Sequence, residues 1–160
     1  MTTKSDFEEQ EWARIVRAPF VAGMAITMAD PGGPIEATKE TAATLRTATN
    51  PPTREQLLTE VALDVQAMVQ QHHNPLKGFK PTSDRPVGDQ VVDELHLVFE
   101  LVEAKADAEE SAAFGEWIVQ VAQAAANAAK EGGFLGIGAE QVSARESEML
   151  DRVRSAVTST

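Results

Sequence analysis

Asp93, His96 and Glu100 are the residues whose types and spacing best suit a chemical role. They stand three and four positions apart, so a helix would place them on one face. Carboxylate and imidazole groups are ligands for iron, manganese and zinc. Di-iron bundles, however, gather carboxylates from four helices and two Glu-x-x-His pairs, and this chain has no Glu-x-x-His. The pattern favours a partly buried His96 with a backbone or carboxylate partner, and a metal site is the alternative.

Other catalytic patterns are missing from the sequence. There is no cysteine, no Gly-x-Ser-x-Gly and no Gly-x-x-x-x-Gly-Lys, which excludes the commonest nucleophile and phosphate-binding motifs. His72 and His73 are adjacent, so on a helix they point about 100° apart and form no chelate. A helix C-terminus suits their charge. The sequence leans toward a non-enzymatic protein and predicts no cofactor, with a metal ion as the alternative.

A glycine-rich apolar stretch, EGGFLGIG at 131–138, raises the question of a binding loop. It does not fit Gly-x-Gly-x-x-Gly, and a helix rather than a strand is predicted before it. Gly132 suits the end of that helix. Phe134, Leu135 and Ile137 either cover the end of the protein's own core or contact a protein partner or a second copy. They are the candidate interface.

Charge and hydropathy restrict the class of partner. A formal net charge of -11 opposes binding to nucleic acid and to anionic membranes. The most apolar stretch, 18–29, has about twelve residues, whereas a spanning helix needs about 20. The N-terminus has no signal-peptide pattern. We expect a cytoplasmic protein that binds no nucleic acid, and membrane contact is unlikely.

The apolar residues recur with helical spacing, and the alternation typical of strands is missing. Capping residues, prolines and glycines divide the pattern into seven helical segments: 5–19, 19–29, 35–47, 53–72, 89–105, 107–131 and 143 onward. Capping boxes are predicted for four of the helix starts: Ser5 with Glu8, Thr53 with Gln56, Asp107 with Glu110 and Ser143 with Glu146. Pro19 lacks an N–H and clashes with the preceding turn, so it is expected either to kink the first helix or to begin a second one.

We therefore predict an all-α, single-domain helical bundle of about six to seven helices. It covers residues 1–160, with a flexible N-terminus at 1–5 and a long loop at 74–88. Gly23 is expected to let a neighbouring helix approach closely. A small-molecule pocket near Met24, Met28 and Trp117 stays open, because such pockets need no motif.

A resemblance to a known group of proteins rests on two stretches of the chain, EWARIVRAPFVAGMAITMADPGGPI and FGEWIVQVAQAAANAAKEGGFLGIGAEQVSARESEML. Together they resemble a group of small, all-helical bacterial proteins of unknown function, so the resemblance implies a fold and no activity. The last turn, followed by Ser-x-x-Glu, is more distantly similar to tellurite-resistance TerB-like domains. Those domains are associated with acidic metal-binding positions, none of which is assigned to a residue here.

Two functional hypotheses follow from the sequence. The first is a non-enzymatic bundle that self-associates or binds another protein, because an apolar loop and an alanine-rich helix accompany the lack of a catalytic pattern. The second is a metal-binding protein, TerB-like or ferritin-like and possibly stress-related, which would use His96 with Asp93 and Glu100.

Overall fold

A computed structural model describes residues 1–130 and 142–160. After a short 3-10 helix, Lys4–Asp6, the described residues form six α-helices. These are α1 (Glu9–Ala29), α2 (Pro34–Ala48), α3 (Gln56–Gln70), α4 (Val87–Glu103), α5 (Ala108–Lys130) and α6 (Ala144–Ala156). The described part of the chain contains no strand. The prediction of an all-α bundle of six to seven helices is confirmed.

Helix α1 runs through Pro19 without interruption, so the predicted boundary there is wrong. Proline inside a helix removes one hydrogen bond and costs about 3 kcal/mol. Here the residues on both sides of it, such as Val16, Phe20 and Val21, are buried. Burying one large apolar side chain stabilises by about 1.5–3 kcal/mol, so a continuous buried helix offsets the cost of the proline.

The five other helices surround α1, which contacts each of them. Helix α2 packs mainly against α5, where Ala122, Ala125 and Ala126 are buried. Small side chains bring the two helix backbones close together, so this alanine-rich surface serves packing within the chain. All six helices contribute buried apolar side chains to one cluster. None of the described helices combines the length and apolar character that crossing a bilayer requires.

Trp117 is a fully buried core residue. Its indole N–H donates to the carbonyl of Thr47 at 2.9 Å, and its ring meets Phe114 edge-on with 6.4 Å between centroids. A buried indole usually has such a partner. The sequence left open a pocket near Met24, Met28 and Trp117. Of these three residues, Trp117 belongs to the packed interior.

Within residues 1–5, for which the sequence predicts flexibility, Thr2 is buried against α5. The Thr2 hydroxyl donates to Glu110 Oε2 at 2.6 Å, and the Thr2 backbone N–H lies 2.9 Å from Oε1. Both residues are buried, at 4% and 2% exposure. Because a buried carboxylate requires hydrogen-bond donors, this contact ties the N-terminal segment to α5.

The predicted helix starts have different outcomes. Ser143 and Glu146 cap each other's backbone N–H groups at α6, as predicted. Asp107 Oδ1 caps α5 by accepting from the N–H of Glu110 at 2.9 Å. The predicted capping box of Thr53 with Gln56 is wrong, because α3 begins two residues later, after Glu55. The predicted box of Ser5 with Glu8 is also wrong, because α1 begins after Glu8, which forms a box with Glu11.

Gly115 provides a test of how tightly the bundle is packed. A methyl group there would overlap the carbonyl oxygen of Val157 and lie 3.1 Å from the Phe99 ring. We expect Gly115→Ala to lower the free energy of unfolding by about 1–3 kcal/mol, since backbone must shift. Urea unfolding measures this value.

The control is Gly88→Ala in the first turn of α4. Its added methyl would meet only the flexible ends of two side chains, Met149 at 3.1 Å and Arg152 at 3.8 Å. We expect a neutral effect or a gain of up to about 1 kcal/mol from helix propensity. Equal stability of the Gly115 variant and the wild type would show that α5 and the C-terminal segment are loosely packed.

Candidate functional site

The end of α3 has an unusual backbone conformation. The N–H of His72 donates to Val69 O, and the N–H of His73 donates to Met68 O, both at 3.0 Å. This pair of bonds is the Schellman ending of a helix, in which the left-handed residue is usually glycine. Here it is His72, with φ of 55°. The left-handed conformation costs about 1–2 kcal/mol for a residue with a Cβ.

The turn at His72 directs the next residues back across α1. We call residues 74–79 the crossing segment. Asn74 starts it by accepting, through Oδ1, the N–H of Leu76 at 3.0 Å. Gly78 has φ of 96°, and a Cβ there would lie 2.6 Å from Arg17 Nη2. The crossing segment therefore passes directly over the guanidinium of Arg17.

Two adjoining hollows flank the end of α3 and the crossing segment. The apolar compartment, about 500 Å³, lies among α1, α2 and α3, and the polar compartment, about 570 Å³, lies between α1 and α3 on the other side. His72, His73 and Pro75 line both. We call the two together the cleft.

The apolar compartment has mainly hydrocarbon walls, including Phe20, Met24, Leu45, Val69, Pro75 and Leu76. Two of its threonine hydroxyls have partners within the protein: Thr27 donates to Glu40, and Thr41 donates to the carbonyl of Ala37 at 2.8 Å. The side chain of Thr44 contacts Gly23 so closely that a Cβ at Gly23 would overlap it. The expectation that Gly23 permits close approach is confirmed. Met24 lines the compartment, as the pocket hypothesis proposed.

The polar compartment combines an apolar wall with charged groups. Its lining includes Trp12, Val16, Arg17, Asp64, Met68 and Lys77. Asp64 Oδ2 accepts from Lys4 Nζ and from the Trp12 indole, each at 2.7 Å. Burial raises the pKa of the Asp64 carboxyl, but the hydrogen bonds from Lys4 and Trp12 outweigh burial and leave the pKa below its ordinary value. The Asp64 carboxylate therefore already has two hydrogen-bond donors within the protein.

Arg17 is the deepest cation of the cleft. Its side chain is 12% exposed, and Nη1 lies 3.9 Å from Glu94 Oε1, whose side chain is 11% exposed. Burial lowers the pKa of Arg17 below its ordinary value. The negative charge of Glu94 opposes this effect, and the positive charge of Arg14 adds to it. Among the described residues, Glu94 Oε1 is buried without a hydrogen-bond partner. The two charges are close, but they are not joined by a hydrogen bond.

The metal candidates lie elsewhere, on an exposed face of α4. Asp93 pairs with Arg85 Nη2 at 2.6 Å. His96 Nδ1 lies 3.1 Å from the Ala156 carbonyl, and Nε2 lies 3.3 Å from Glu100. His96 therefore has both the backbone and the carboxylate partner expected of it, although its side chain is exposed rather than partly buried.

A groove of about 490 Å³ between α4 and α6 brings Asp93 and His96 near Glu148 and Asp151, and Glu100 does not line it. In the described part of the chain, no three metal-ligand side chains converge on one point. The interface candidates Phe134, Leu135 and Ile137 lie outside the described residues.

No family model matches the chain, and no match is found among curated proteins or solved structures. The resemblance to small all-helical bacterial proteins and the weaker likeness to TerB-like domains therefore stay predictions. The candidate site rests on the geometry of the described residues alone.

Sequence reasoning recognised parts of the cleft but not the cleft itself. Met24 and the basic character of Lys77 are visible in the sequence, whereas His72 and His73 were interpreted only as cations at a helix end. One local signal is present: a helix that ends in His-His-Asn-Pro, without the usual glycine. Such an ending predicts a strained turn, and strained turns cluster at functional sites.

Asp64 gives a prediction about pH. Because its pKa is depressed in the folded state, its stabilising contribution is present above the unfolded pKa of about 4 and is lost as pH falls through the folded value. We expect Asp64→Asn to be less stable than wild type at pH 7, by about 1 kcal/mol or less. This difference should shrink below about pH 4. Urea unfolding at several pH values checks it, and a difference independent of pH would contradict the ionic role.

His72 gives a prediction about strain. We expect His72→Gly to raise the free energy of unfolding by about 0.5–1 kcal/mol, because glycine adopts the left-handed conformation without a Cβ penalty. The matched control is Gln71→Gly, where φ is -85° and glycine should cost about 0.5–1 kcal/mol. Thermal or urea unfolding separates the two, and a loss of stability in both variants would refute the strain.

Proposed function

We propose that this protein acts by binding a small, largely apolar molecule in the cleft, and not by catalysis. The observation that supports the proposal is the apolar compartment of about 500 Å³. Small-molecule sites typically have about 300–1,000 Å³ and hydrocarbon walls with few polar groups. This compartment has both properties.

The position of the apolar compartment also supports a binding role. It is bounded by three helices and by the crossing segment, so residues distant in the sequence, from Phe20 to Leu76, surround one volume. The Thr27 hydroxyl in its lining already has a partner in Glu40. A ligand therefore gains from burying hydrocarbon and leaves that hydrogen bond of the protein intact.

The two hypotheses from the sequence stay predictions. Self-association or protein binding through Phe134, Leu135 and Ile137 concerns residues outside the described ones. A metal site at Asp93, His96 and Glu100 gains no support from the arrangement on α4, where Asp93 pairs with Arg85 and His96 with Ala156 and Glu100. The proposal for the cleft is compatible with either.

A neutral apolar dye, N-phenyl-1-naphthylamine, tests the proposal. We expect its fluorescence to rise on saturable binding to the folded protein. Leu76→Trp should weaken binding by about tenfold or more, since the larger ring fills the apolar compartment and tenfold corresponds to about 1.4 kcal/mol. Fluorescence titration measures the affinity.

The matched control is Leu63→Trp, which makes the same substitution at an exposed position of α3. It should leave the affinity unchanged. No saturable binding by the wild type, or equal weakening by both substitutions, would refute the proposed site. Unfolding curves of both variants establish that they are folded in the assay.

A further inference from the structure

We propose that the molecule bound in the cleft is an amphipathic anion. Its apolar part occupies the apolar compartment, and its carboxylate or phosphate group lies in the polar compartment between Arg17 and Lys77. This inference rests on the proposed function and specifies the chemical class of the ligand.

The first argument is the state of Arg17. A guanidinium has five N–H donors, and no hydrogen bond from Arg17 to another described residue is present. Its nearest carboxylate oxygen, on Glu94, is 3.9 Å away. A mostly buried guanidinium with unused donors is suited to an oxyanion, because charge-assisted bonds in a partly desolvated site are strong.

The second argument is the charge of the polar compartment. Lys77 lines it and has no acidic partner among the described residues, while the one lining carboxylate, Asp64, is paired with Lys4. Arg17 shares the single carboxylate of Glu94 with Arg14, at 3.9 and 3.5 Å, so the polar compartment with Lys77 carries a local excess of positive charge in a chain whose net charge is -11. An anion is complementary to this local charge, whereas a cation is not.

The third argument is the connection between the compartments. His72, His73 and Pro75 line both of them, so the two volumes adjoin at these residues, and the proposed molecule would extend past them from one volume into the other. Trp12 and Met68 supply an apolar wall beside the cations. A hydrocarbon chain or ring with one terminal anionic group matches an apolar compartment beside a compartment with two cations.

Competition against N-phenyl-1-naphthylamine tests the inference with three ligands of equal chain length: decanoate, decyl phosphate and 1-decanol. We expect the wild type to bind at least one anion about tenfold more tightly than the alcohol, as a charge-assisted hydrogen bond provides. Whichever anion binds more tightly identifies the headgroup. Equal affinity for the alcohol and both anions would overturn the inference while leaving the proposed apolar site intact.

Substitutions then locate the anionic group. We expect the pair Arg17→Gln with Glu94→Gln, which keeps the net charge, to remove most of the anion preference, measured as the ratio of anion to alcohol affinity in the same variant. Lys77→Gln, on an exposed side chain, should reduce the preference about threefold and is the second variant if the pair does not fold. Lys80→Gln in the same connection is the control and should have no effect. An unchanged preference in the Lys77 and paired variants would place the anion elsewhere and refute the inference.

Discussion

The burial of α1 by all five other helices is the constraint on which the rest of the structure depends. Nearly every position of α1 from Trp12 to Ile26 is buried or half-buried. An α-helix has side chains on all sides, so a surrounded helix must place any charged residue it carries close to the core. Arg17 is such a residue, and its position between Glu94 and the crossing segment follows from the position of α1.

The cleft lies where α3 ends and the chain crosses α1. Helix α3 has 15 residues and ends at Gln70, and the left-handed turn at His72 then leads the chain over Arg17 of α1. Met24 and Met68, which line the two compartments, also pack against the core cluster. The residues that follow this turn, His73 and Pro75, line both compartments.

The fold could be predicted from the sequence to a greater extent than the site. Helical periodicity and the caps at Asp107 and Ser143 are local, so they identified the helices and two of their starts. Pro19 was misjudged because burial of the surrounding helix outweighs a local rule. The cleft was missed because Trp12, Arg17 and Lys77 share no motif and meet only through tertiary packing. His96 showed the reverse problem: its neighbours on the helix are buried, while the residue itself is exposed.

Some residues at and beside the cleft have a conformation or an environment that is unfavourable for stability. His72 occupies a position that suits glycine, and Arg17 and Glu94 are mostly buried without hydrogen-bonding each other. Of the two buried atoms in the described residues without a partner, one is Glu94 Oε1, and the other, Ser111 Oγ, is next in sequence to the Thr2–Glu110 contact. Locally unfavourable features of this kind persist where structure is constrained for a purpose other than stability. His72 and Arg17 both line the cleft, and this position supports the binding role that we propose for it.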